Sequence, residues 1–115
     1  MNDRFAQALE RLSRLPGVRG ALLVDAEAGL PVLADLADEM AGPAAAALAA
    51  SAYRRTHRAV DGVGLGTIEA LQLDAAEGHV LVAGAGELLV VVIAEPDAQL
   101  GRVRVETRQV AEALL

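Results

Sequence analysis

Phe5, Ala8, Leu9, Leu12 and Leu15 recur at the three- and four-residue spacing that lines one side of a helix. Asp3 stands where an N-terminal cap or first-turn acid belongs, and Pro16-Gly17 stops the pattern. A first helix is therefore predicted over residues 3–15. The apolar run over 20–24 and a second over 30–33 flank Asp25-Ala26-Glu27-Ala28-Gly29, which reads as the turn of a hairpin. Pro31 cannot donate to a ladder, so the second strand is predicted at a sheet edge. Asp35 or Asp38 is then the expected cap of a long second helix.

Over residues 40–52 the chain carries no charge, and small residues occupy every side of the predicted helix. A helix that is apolar all round is expected to be buried all round. One sheet covers only one face of it, so the other face needs a second partner. Pro43 must sit within the first turn or it would kink the helix. The helix turns polar at Arg54, Arg55, His57 and Arg58 and is expected to end near Asp61-Gly62. Three strands follow: a long, weakly alternating one over 64–73, a shorter one over 79–83, and one over 88–94 that is apolar throughout, as in a central strand covered on both faces. The links over 74–78 and 84–86 are short enough to force antiparallel hairpins. Pro96-Asp97 breaks the chain. A last helix takes Leu100, Val103, Thr107, Val110, Ala111 and Leu114 on one face, with Arg104, Arg108 and Glu112 sharing another. The predicted architecture is a three-layer α/β sandwich around one five-stranded antiparallel sheet, in the order α-β-β-α-β-β-β-α. Residues 1–115 read as one domain, without internal repeats or linkers.

Composition adds two constraints. Hydrophobic residues make up 54% of the 115 positions but aromatics only 2%, and 25 alanines fill the difference. Layers built from alanine must approach closely. An apolar fraction this high in a small domain suggests surface buried against another chain; a codon bias towards Ala, Gly, Val and Arg is the alternative reading. All ten basic residues are arginine, set against 16 acids, for a net charge of −6. Phosphate contacts need clustered positive charge, so nucleic acid is not an expected partner. There is no cysteine, hence no disulfide and no thiolate metal site. The first residues are polar and lack an apolar signal core, and the apolar run at 88–94 is far too short for a membrane span. The expected compartment is the cytoplasm.

No motif for catalysis or a cofactor stands out. Gly62-Val63-Gly64-Leu65-Gly66 looks superficially like a phosphate loop, but it lacks the Gly-Lys-Ser/Thr ending and leads towards a strand rather than a helix. His57 and His79 are lone histidines without ligand-like neighbours in sequence, so a metal site is not expected. Ser13 and Ser51 have no base beside them. The chain reads as a non-enzyme without a cofactor. A small-ligand sensor remains a third-ranked alternative.

The order of elements, with Pro-Gly-Val-Arg-Gly-Ala-Leu-Leu-Val-Asp over 16–25, resembles the roadblock/dynein light chain family. The Asp25–Gly29 turn is similar to that family's Asp-x-x-Gly hairpin. Residues 98–104, Ala-Gln-Leu-Gly-Arg-Val-Arg, resemble its Asn-Leu-Gly entry to the last helix, with Gln99 where Asn is common. The resemblance spans essentially the whole chain and implies a profilin-like fold. It also implies a dimer built through the second helix and the third strand, giving one sheet across two chains. Bacterial members commonly act with small Ras-like GTPases; eukaryotic relatives include dynein light chains and scaffold subunits. The expected dimer contacts are Met40, Ala44, Ala47, Leu48 and Ser51 on the helix, with Leu65, Thr67 and Glu69 on the strand. Arg54, Arg55 and Arg58 are the candidate contacts for a GTPase; the alternative is a solvated helix end, favourable beside the C-terminal dipole. A scaffold without effect on GTPase turnover is the competing function.

Overall fold

A computed structural model describes residues 3–37 and 40–115. The elements run α1 (Asp3–Ser13), β1 (Val18–Asp25), β2 (Pro31–Leu36), α2 (Gly42–Gly62), β3 (Ala70–Ala75), β4 (Gly78–Ala85), β5 (Leu88–Ala94) and α3 (Leu100–Ala113). The five strands form one antiparallel sheet in the order β2-β1-β5-β4-β3. This is the α-β-β-α-β-β-β-α sandwich read from the sequence. β2, with its proline, lies at one edge and β3 at the other. β5 is central, and Leu89, Val90, Val91 and Val92 are all at 0% exposure.

Two cores sandwich the sheet. Leu9 and Leu12 of α1 and Val103, Val110 and Ala111 of α3 pack on Leu23, Leu81, Val90 and Val92. On the other face, Ala46, Ala49 and Ala50 of α2 pack on Leu22, Val24, Val82, Leu89 and Val91. Alternation along β5 sends neighbouring valines to opposite cores, as the period of a strand requires. Because the fully buried residues of α2 are all alanine, its backbone lies close to the strands. The Asp25 carboxylate closes the β1–β2 turn by accepting the amides of Glu27 (3.0 Å) and Ala28 (2.8 Å). Gly29 ends that turn at φ +71°, where an L side chain is strained.

Three local expectations change. α1 ends at Ser13, two residues early, although Leu15 is still buried. Asp35 does not cap α2: it lies inside β2, opposite Ala21. Asp38, the other candidate, lies outside the described residues. The helix starts instead after Ala41, with no side-chain cap and with Pro43 in its first turn, where the missing N–H costs nothing. The expected strand over 64–73 begins only at Ala70, because Gly64 (φ +82°) and Gly66 (φ +81°) hold left-handed backbone that a strand cannot contain. As expected of a helix that one sheet covers on one face only, α2 has an open outer side in the single chain. Ala44, Ala47 and Ala59 are exposed, and Leu48 is 53% exposed.

Candidate interaction surface

The exposed side of α2 carries Ala44, Leu48 and Ala59, and the orientation of the helix is fixed by three contacts. The Arg54 guanidinium donates to the carbonyls of Ala26 (2.7 Å) and Glu27 (3.0 Å) in the β1–β2 turn. Gly29 of the same turn lies against Ala47 and Ala50, close enough that an added Cβ would touch both. On the other side, the Tyr53 hydroxyl donates to the Ile68 carbonyl at 3.0 Å and its ring covers Gly84 of β4, where a Cβ would stand 2.5 Å from the hydroxyl oxygen. Burial pushes the Tyr53 hydroxyl above its ordinary pKa, so it stays a donor. Residues advance by about 100° around a helix. The flank turned away from the β1–β2 turn and towards β3 therefore carries Ala45, Leu48, Ala52, Thr56 and Ala59.

That flank overlaps only partly with the expected set. Leu48 lies on it. Ala44 and Ser51 point outward from the sheet. Ala47 faces the β1–β2 turn, and Met40 is half-buried just ahead of the helix. Ala45, Ala52, Thr56 and Ala59 were missed, although their spacing of three and four through Leu48 was readable. The flank also overlooks Leu71 and Leu73 of β3. These lie opposite Val82 and Val80 on the α2 side of the sheet and stay half-buried, because α2 does not reach across them. The result is an apolar step between α2 and the open edge of β3.

Leu65, Thr67 and Glu69 lie in the irregular stretch before β3 and are exposed, Leu65 at 75% and its neighbour Val63 at 72%. The Glu69 carbonyl accepts the Gly84 amide at 3.1 Å, so the ladder begins one residue ahead of β3. The Glu69 carboxylate pairs with Arg108. Gly62-Val63-Gly64-Leu65-Gly66 follows the end of α2, so no helix N-terminus adjoins it and its amides form no anion cradle.

The arginine cluster is divided. Arg54 is committed to the β1–β2 turn. Arg55 and Arg58 are exposed on the outer side of α2. Between them His57 stacks on Tyr53, with ring centroids 6.4 Å apart and planes 7° from parallel, and its Nδ1 is buried without a hydrogen-bond partner. His79 is not isolated as its sequence neighbours suggested. Its Nδ1 lies 2.7 Å from Asp74 Oδ1 across the β3–β4 hairpin, and its Nε2 lies 3.2 Å from the Pro96 carbonyl. The cross-strand pairing of positions 74 and 79 creates this contact, and it was legible only once the hairpin register was known. Among the described residues no three His, Cys, Asp or Glu side chains converge as a metal site would require. No helix among them is long and apolar enough to cross a membrane.

Comparison with known proteins places this arrangement. An uncharacterized protein of Methanocaldococcus jannaschii is 26% identical over 108 residues, covering 94% of each chain. The gliding protein MglB of Thermus thermophilus superposes with a TM-score of 0.84 at 26% identity, over 97% of this chain and 86% of that one. A structure described as MglB with a tetrameric arrangement superposes at 0.85 with 27% identity, over 97% of this chain and 85% of that one. Residues 4–94 match the sequence model of the Roadblock/LC7 domain. With that match spanning most of its length, and with the sandwich of three helices on five strands, the chain belongs to the Roadblock/LC7 domain family.

Proposed function

We propose that the protein is a non-catalytic homodimer that regulates, or serves as partner to, a small Ras-like GTPase. The observation that carries the dimer is the apolar step itself. Leu48 and the alanine flank of α2 stand beside the half-buried Leu71 and Leu73 and the edge strand β3. Edges of this kind recruit another strand unless they are blunted, and β3 carries no proline or lysine to do so. A two-fold axis perpendicular to the sheet would pair β3 with its copy and lay the second α2 into the step, antiparallel to the first. The same contacts then repeat on both sides. The likeness to a protein solved in a tetrameric arrangement supports self-association in general.

The GTPase reading rests on family membership, since bacterial members commonly act with small Ras-like GTPases. In the dimer, Arg55 and Arg58 of both chains would share the α2 surface of an otherwise acidic protein. A scaffold or adaptor role without effect on turnover is the alternative, and it shares the dimer. Two measurements test the proposal. Light scattering at micromolar concentration should give twice the 11.8 kDa chain mass. Turnover and nucleotide exchange of a purified small Ras-like GTPase from the same organism should change when the protein is added. A GTPase that binds with both rates unchanged selects the scaffold; one that does not bind at all removes the GTPase reading.

A further inference from the structure

On the side of the sheet covered by α1 and α3, β3 has no helix above it. Ala70 and Gln72 point to that side, since they lie opposite Ala83 and Leu81, both of the core beneath α3. Within the sheet α3 packs chiefly on β4 and β5, and it reaches β3 through the Arg104 side chain. Between α3 and the β3 edge runs a groove. One part of it encloses about 250 Å³ beside Gln72, Arg104 and Thr107. It continues past Arg108 into a second space of about 420 Å³ beside Ala111 and Leu115.

We infer that two such grooves fuse in the homodimer into one trough that seats a single α-helix of a partner protein, apolar along its base and acidic along both flanks. The inference rests on the β3-paired dimer proposed above. Antiparallel pairing about an axis perpendicular to the sheet keeps both α3 helices on the same side. Four strands, β4, β3 and their copies, then form the floor, with one α3 as each wall. With strands about 4.8 Å apart, the two α3 axes stand about 18 Å from each other. Packed helices lie about 8–10 Å apart, so the trough admits one helix touching both walls and excludes two. Small side chains permit the approach: Ala70 on the floor, Thr107 and Ala111 on the wall.

Charge selects the occupant. Arg104 and Arg108 stand one helical turn apart on each wall, four arginines in the dimer. Among the described residues Arg104 donates to the side-chain oxygen of Gln72 alone, at 3.3 Å. Arg108 pairs with Glu69, whose side chain is 77% exposed. Exposed pairs of this type are weak and exchange readily for carboxylates brought by a helix that excludes water. The α2 layer lies on the opposite face of the sheet, so a helix in the trough and a GTPase on α2 would not compete.

The test uses the full chain and two fluorescein-labelled peptides of about five helical turns. Both carry leucine at helical spacing; one has glutamate on both flanks and the other lysine. Fluorescence anisotropy should show the glutamate peptide binding at least roughly tenfold tighter, at one peptide per dimer. Arg104→Glu with Arg108→Glu should reverse the preference, and Ala70→Arg should weaken both peptides while the dimer mass and the circular dichroism hold. A dimeric protein that binds neither peptide, prefers neither, or takes two per dimer overturns the trough and leaves the dimer standing. A monomeric mass overturns the dimer and the trough with it.

Discussion

Arg54 and its neighbours on α2 share a side-chain type and little else. Arg54 spans from the helix to two carbonyls of the β1–β2 turn and is part-buried there. Hydrogen bonds from a charged donor to backbone carbonyls are stronger than those between neutral groups. Arg54→Ala should therefore lower stability by about 1–2 kcal/mol, whereas Arg55→Ala and Arg58→Ala, on the open side, should stay within about 0.5 kcal/mol. Urea denaturation of the three variants checks this; equal losses would mean that Arg54 is not a tether.

A second pairing at the residue scale depends on pH. Hydrogen bonds from Gln72 and His79 hold the Asp74 carboxyl below its ordinary value of 3.8. The bond to Asp74, and next the Pro96 carbonyl, hold His79 above its ordinary value of 6.5. With an acceptor facing each ring nitrogen, the imidazolium is the form that fits. The His79 contribution is complete below 6.5 and disappears as pH rises through its raised folded value. The Asp74 contribution is complete above 3.8 and disappears as pH falls through its lowered folded value. The melting temperature of the protein minus that of His79→Gln should be largest between 3.8 and 6.5 and shrink on both sides. A difference that does not vary with pH would show that the ring is held by packing alone.

The elements differ in how openly the chain announces them. The run over residues 88–94 is apolar at every position, so β5 was placed with its observed bounds. The α3 stripe was equally clear: Val103, Thr107, Val110 and Ala111 are its buried residues. α2 was harder. Its alanines carry no hydropathic contrast between faces, so periodicity could not say which side met the sheet. That information came from long-range contacts at Gly29, Arg54 and Tyr53. The stretch before β3 was misread because its apolar alternation continues through Gly64 and Gly66, while its backbone does not. The same orientation of α2 makes the dimer testable without unfolding the chain. Leu48 is 53% exposed in the protomer, whereas Ala49 beside it is at 0%. Leu48→Glu should yield a folded monomer, with native circular dichroism and half the mass by light scattering. Ala49→Glu buries an unpaired carboxylate against Val82 and Val91 and should unfold. A dimer that survives Leu48→Glu would place the contact elsewhere.

For the whole molecule, charge distribution sets how a partner would be met. The net charge is −6, so a second acidic protein is repelled at long range unless it approaches a local positive region. With Arg54 committed to the β1–β2 turn, that region on the α2 face reduces to Arg55 and Arg58, four arginines in the proposed dimer. Each exposed pair they form contributes about 0–1 kcal/mol, so equilibrium affinity is a poor readout. Association rate is a better one, because steering acts before contact and is screened over about 8 Å at physiological salt. Arg55→Ala with Arg58→Ala should slow association with a cognate GTPase several-fold at low salt. The dimer mass and the dissociation rate should hold, and the difference should vanish as salt is raised. Stopped-flow mixing at several ionic strengths measures all of these. The choice of two arginines matters: Arg54→Ala would disturb the β1–β2 turn and through it the packing of α2. If the double variant associates as fast as the parent at low salt, Arg55 and Arg58 are a solvated stretch of helix, and any GTPase that binds does so on another face.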